Sequence, residues 1–208
     1  MRLLTTENRA DPTPISLSRR CFVQGLAGGG LLAGLIPWRG GFGDLSAQSG
    51  VPRRALSGTH FELEIGELPV DFTGRRRVAT VINGQLPGPL LRWRQGDTVT
   101  LCVRNRLTET TSLHWHGMVV PADMDGVPGL SFHGIPPGGE YLYRFAVNQS
   151  GTYWYHSHSG FQEQTGMYGA IVIEPRHGRR HSADRDYVVM LSDWTDELPA
   201  HLYDHLKN

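Results

Sequence analysis

The chain has 208 residues, with 20 Lys+Arg against 20 Asp+Glu, so its formal net charge is zero. That length suits one full domain and little more, and the charge balance argues against a nucleic-acid surface or an acidic tail. The 26 glycines and 13 prolines point away from long helices and toward a turn-rich β architecture.

Residues 1–47 stand apart from the rest. Ser18-Arg19-Arg20-Cys21-Phe22-Val23-Gln24 leads into a weakly apolar, glycine-containing run from Phe22 to Ile36. Paired arginines before such a run resemble a twin-arginine export signal, which implies delivery to a bacterial periplasm. The run is too short and too polar to cross a bilayer, so no membrane span is expected. Cleavage after Ala47 is consistent with the signal, although Leu45 is large for the position two residues earlier. With the signal removed, Cys102 is the one cysteine remaining and no intrachain disulfide can form.

From His60 the pattern is β throughout. Phe61–Ile65 alternates apolar and polar residues, Val78–Ile82 follows, and Asn83-Gly84 marks a turn. Gly96-Asp97 opens a run from Thr98 to Leu107, in which Val99, Leu101 and Val103 are the expected buried set and Cys102 faces the other way. A short segment, Ser112–His116, precedes an irregular loop from Val119 to Gly139. Tyr141–Val147, Thr152–His156 and Tyr168–Glu174 alternate again, and Pro175 closes the last of these. Seven or so short strands between turns predict an all-β, Greek-key sandwich or barrel over residues 58–175. Residues 176–186 read as a polar linker. Residues 187–208, with a strand at Tyr187–Leu191 and a short helix at Pro199–Asn208, read as the start of a second domain.

The chemistry concentrates in two histidine pairs, His114-Trp115-His116 and His156-Ser157-His158. Residues i and i+2 of a strand share a face roughly 6–7 Å apart, so two such strands side by side would bring four imidazoles into a small volume. Bulky neighbours on the opposite face, Trp115 and Trp154-Tyr155, would lock the strands. The other six histidines, His60, His133, His177, His181, His201 and His205, lack such spacing and read as surface or loop residues. Imidazole-only ligation suits copper, zinc or nickel. Structural zinc sites usually carry thiolates, and a catalytic zinc with three ligands would leave one histidine idle. The residues alone prefer copper without deciding.

Leu113-His114-Trp115-His116-Gly117 and Gly151-Thr152-Tyr153-Trp154-Tyr155-His156-Ser157-His158-Ser159 resemble the first two copper motifs of the multicopper oxidases. The likeness extends through Asn83–Pro89, Gly96–Val99, Met124–Pro128 and Tyr168–Pro175. Ser159–Gln164 and Leu191–Trp194 are similar to the bacterial copper-resistance protein A branch of that family. The resemblance implies an N-terminal cupredoxin domain. It implies His114 as a ligand of a type 2 copper, His116 and His156 as ligands of one type 3 copper, and His158 as a ligand of the other. It also implies that Asp125 is the acid behind the cluster that orients water and helps deliver protons during reduction of dioxygen to water. Read without the resemblance, Asp125 is a turn residue before Gly126.

The resemblance also marks departures. A complete family member carries three such domains, eight cluster histidines and a His-Cys-His motif for a type 1 copper. This chain has four paired histidines and no His-Cys-His, and Cys102 lies between Leu101 and Val103. Half a site is therefore expected, in a fragment, a truncated product or one part of a split gene. The missing C-terminal domain, in cis or in trans, would be the partner, and cuprous ion or a phenol the electron donor. A non-catalytic, copper-sequestering periplasmic protein is the alternative. A zinc hydrolase, with Asp125 as the only evident base, is a weaker one.

Overall fold

The computed structural model describes residues 55–129, 131–178 and 183–207. Residues 1–47, read above as an export signal, and His181 lie outside the described residues. Nine strands occur among the described residues: β1 (Leu56–Ser57), β2 (His60–Asp71), β3 (Arg76–Ile82), β4 (Leu91–Arg94), β5 (Thr98–Asn105), β6 (His114–His116), β7 (Glu140–Ala146), β8 (Gly151–His156) and β9 (Tyr168–Glu174). They form two sheets, one in the order β1-β4-β9-β8-β6 and the other in the order β3-β2-β5-β7. The all-β sandwich expected from the alternation is the fold observed.

The core lies between the sheets. Phe61, Leu63 and Ile65 of β2, Val99, Leu101 and Val103 of β5, and Tyr143 and Phe145 of β7 are buried in one cluster with Leu91, Trp93, Trp115, Tyr155, Ile171 and Ile173 of the opposite sheet. Edge-to-face ring contacts bridge the two layers, with Trp115 5.2 Å from Tyr143 and Trp93 5.8 Å from Phe145. Burying side chains of this size contributes roughly 1.5–3 kcal/mol each before the entropy of ordering is counted.

Three departures from the sequence reading have physical causes. First, β2 runs to Asp71 rather than stopping at Ile65. Its buried parity changes after Gly66, and Val70 joins Ala79 and Val81 of β3 in a second small cluster capped by Leu68, Leu86 and Trp194. Beyond Ile65, β2 pairs with β3 alone, so Pro69 occupies an open edge where its missing N–H costs nothing. Second, the short strands β1 and β4 escape any period-based reading. They exist because β4 runs parallel to both β1 and β9. Third, Tyr187–Leu191 is not a strand. Tyr187, Val189 and Leu191 are exposed there, and no ladder partner is present among the described residues.

The 119–139 loop contains a 3-10 turn at Ala122–Met124 and is tied to the body by a bridge between Thr111 and Ile135. The C-terminal helix α1 (Pro199–Lys207) matches the expected helix. Ahead of it, Trp194 packs edge-on against Phe72 at 5.1 Å, and Arg77 Nε donates to the Asp196 carbonyl at 2.9 Å. Among the described residues no helix is long and apolar enough to cross a membrane.

Candidate metal centre

Strands β6 and β8 are antiparallel neighbours, with His114 opposite His156, Trp115 opposite Tyr155, and His116 opposite Trp154. Strand alternation then separates two faces. Trp115 and Tyr155 point into the core and are fully buried. The histidines take the opposite face: His114 and His116 lie on β6, the last strand of the sheet, and buried His156 lies on the inner strand β8. Trp154 is a correction to the sequence reading. It lies on the histidine face, stacked on His156 with ring centroids 4.1 Å apart and planes 18° from parallel, and 4.9 Å from His116.

The buried side of this platform requires glycine. Tyr155 donates its hydroxyl to the Pro89 carbonyl at 2.6 Å, and a Cβ on Gly88 or Gly169 would collide with that same side chain. The Leu86–Pro89 and Tyr168–Ala170 phrases thus provide room for the ring behind His156.

All four paired histidines converge. Ring centroids are separated by 5.7 Å for His114 and His116, 5.4 Å for His114 and His156, 4.8 Å for His114 and His158, and 5.0 Å for His156 and His158. Single ligand nitrogens of His114, His116 and His156 lie within 4.8 Å of one another. His158 sits two residues past the end of β8. It is held by hydrogen bonds instead: its backbone N–H donates to Ser112 Oγ at 3.0 Å, and Ser159 Oγ donates to the same oxygen at 2.9 Å. Buried Gln162 organises the turn that follows. Its Oε1 accepts from Thr111 and Ser157 at 2.6 and 2.8 Å, while its Nε2 donates to Glu109 and to the Thr110 carbonyl.

Hydrogen bonding at the outer nitrogens fixes which nitrogen of each ring faces inward. His114 Nδ1 lies 2.8 Å from the Asp125 carbonyl and 3.3 Å from its carboxylate. His156 Nδ1 lies 3.0 Å from the Ser157 carbonyl and 2.8 Å from Glu163 Oε2. These partners can only accept, so Nδ1 carries the proton in both rings and Nε2 keeps its lone pair for the site. His116 is oriented the other way, with its Nδ1 3.1 Å from His156 Nε2. Two nitrogens bound to one ion at about 2.0–2.1 Å, near a right angle, lie about 3 Å apart. Burial lowers the pKa of His156, partly offset by the Ser157 carbonyl and Glu163. Burial and then the neighbouring His114 lower that of His158. Both are neutral donors at neutral pH. The donor set fits a late first-row transition metal.

Asp125 caps the 3-10 turn. Among the described residues its carboxylate takes no backbone N–H of its own turn; it faces His114. Gly126 holds it there, because φ is +74° and a Cβ would strike the Leu113 carbonyl, one residue from His114. Cys102 lies on the outer surface of the other sheet, its Sγ 3.8 Å from Glu140 and its thiol pKa raised by burial and by Glu62. His60, His133, His177, His201 and His205 are exposed and outside the cluster. Sequence reading missed Glu163, Ser112 and Gln162, whose roles depend on contacts across the fold, and no spacing signal marks them.

Comparison with known proteins identifies the family. Residues 64–178 match the family model for multicopper oxidase. The chain is 61% identical over 191 residues to copper resistance protein A of Pseudomonas syringae pv. tomato, covering 91% of this chain and 31% of that protein. It is 55% identical over 193 residues to copper resistance protein A of Escherichia coli, covering 93% and 32%. The crystal structure of a multi-copper oxidase from Pseudomonas thermotolerans superposes with a TM-score of 0.55 at 36% identity, covering 59% of this chain and 31% of that one. The chain spans about a third of the length of the curated relatives it matches. An all-β, cupredoxin-like sandwich carrying four convergent imidazoles, with these relatives, makes the chain a member of the multicopper oxidase family, whose metal is copper.

Proposed function

We propose that the chain carries the N-terminal cupredoxin domain, residues 58–175, of a periplasmic multicopper oxidase of copper resistance. Residues 176–186 are then a linker, 187–208 the opening of the next domain, and 1–47 a twin-arginine export signal. In this reading His114 serves a type 2 copper, His116 and His156 share one type 3 copper, and His158 serves the other. The observation that carries the assignment is the inward pair His116 Nδ1 and His156 Nε2, 3.1 Å apart. Histidines of a further domain, in cis or in trans, complete the set. When bound, the copper ions supply the electron-transfer chemistry that reduces dioxygen to water while cuprous ion or a phenol is oxidised.

This chain's own residues then have separate tasks. The Asp125 carbonyl holds His114 with Nε2 forward. The Asp125 carboxylate, 3.3 Å from that ring and half-exposed, is placed to pass protons between solvent and the site. Trp115 and Tyr155 keep the strands rigid from behind.

Copper-to-protein ratio and oxygen uptake with a phenolic dye, measured on the 208-residue chain, test this reading. Copper retention that disappears when the four histidines become alanine, without turnover, is expected. Equal retention by that variant would overturn the site, and sustained oxygen consumption by the chain alone would overturn the half-site. A sequestering role predicts the same binding by the chain alone. It parts from the oxidase reading if a supplied C-terminal domain restores no turnover.

A further inference from the structure

We propose that Glu163 is a positioning residue of this centre, acting through His156; the inference rests on the copper reading above. Its carboxylate Oε2 lies 2.8 Å from His156 Nδ1, on the side of the ring away from the cluster. The Ser157 carbonyl accepts the Nδ1–H at 3.0 Å. Trp154 stacks on the ring, 4.1 Å between centroids. Three contacts thus hold one imidazole: the Ser157 carbonyl accepts the N–H and fixes the tautomer, the Glu163 carboxylate sets its charge beside the same nitrogen, and one aromatic face fixes the plane.

Glu163 is held in place by the buried turn. Its neighbour Gln162 is tied by four side-chain hydrogen bonds and accepts the Met167 N–H on its carbonyl at 2.9 Å, while the Glu163 carbonyl accepts from Gly166 at 3.1 Å. The Glu163 side chain is half-exposed and lines a groove of about 460 Å³ with Trp154, Tyr168, Ala170 and Val188. A carboxylate on the outer N–H of a metal-binding histidine orients the ring and makes its other nitrogen a stronger donor. Removing such a partner typically costs 10–100-fold in metal affinity. The Ser157 carbonyl preserves the tautomer by itself but brings no charge. The contribution particular to Glu163 is therefore donor strength at His156 Nε2.

The test uses the 208-residue chain and copper(II), with affinity read by competition against a chelator. Glu163→Ala is expected to weaken binding about 10–100-fold and Glu163→Gln, which keeps an acceptor without the charge, by less. In a His156→Ala background the Glu163 substitutions are expected to have no further effect. Imidazole nitrogen NMR of the metal-free chain gives an independent reading: Glu163→Ala should move the His156 Nδ1–H resonance and leave those of His114 in place. Affinity within twofold of the parent, an undiminished effect without His156, or an unmoved His156 resonance would each overturn the proposal. If instead the parent and His156→Ala bind copper equally, the copper reading fails, and the metal-free spectrum still decides the Glu163 contact.

Discussion

The two histidine pairs look alike in sequence and are built differently. His114 and His116 both lie within β6, and the β6–β8 ladder places them. His156 ends β8, and His158 lies beyond it, placed by Ser112, Ser157 and the turn around Gln162. Packing behind a strand positions the first pair; a buried polar network positions half of the second. The difference teaches that equal spacing along a chain does not mean equal means of support. A ladder tolerates side-chain changes, whereas a network fails when one partner is left unsatisfied.

The largest effect is expected at the packing shared by both pairs. Trp115→Ala should cost about 3–5 kcal/mol, because an indole buried among Trp93, Tyr143, Phe145 and Tyr155 leaves a cavity. Denaturant unfolding of the metal-free chain measures it, and a loss under about 1 kcal/mol would show that the ladder alone suffices.

Next comes Gln162→Leu, which fills the volume but removes the acceptor of the Ser157 hydroxyl and leaves the Thr111 hydroxyl only the weak Met167 Sδ. About 2–3 kcal/mol is expected. The His158 imidazole signals should shift while those of His116 stay, and equal shifts in both would erase the contrast between the pairs.

Ser112→Ala removes the acceptor of the His158 N–H and should cost about 1 kcal/mol. Copper affinity should fall with it, by less than in His158→Ala.

The smallest effect is that of pH on the metal-free chain. His156 and His158 have pKa values below the ordinary 6.5, with burial the main cause. As pH falls through that value the unfolded chain takes up protons first, so their contribution to stability declines below about 6.5 and levels off below the folded-state values. Thermal melts from pH 7.5 to 5 check the sign. A His158→Gln variant should show a shallower decline, and an unchanged slope would assign the effect elsewhere.

Much of this molecule can be read along the chain. Period-two alternation marks β5, β7 and β9, because one face of each strand meets the core, whereas burial along β8 rises from Gly151 to His156 without alternating. It fails for β4, whose four residues are too few to show a period. It over-reads Tyr187–Leu191, where alternating burial exists without a ladder partner among the described residues. At the site, the spacing identifies the four histidines, and the Met-Asp-Gly phrase marks Asp125. The sequence reading sets Trp154 on the core face, because a bulky residue beside a motif reads as core. Its parity with His156 puts it outside.

That His114 and His116 share one face of a strand, with Trp115 on the other, follows from the chain alone, since alternation is a local property of extended backbone. That His114 lies opposite His156, that Ser112 holds His158 and that Glu163 meets the outer nitrogen of His156 depends on how the folded segments pack. Those contacts join segments 42, 46 and 7 residues apart (His114–His156, Ser112–His158, His156–Glu163), read from their numbers in the chain. Register and turn path select them, and both are settled by which surfaces pack together.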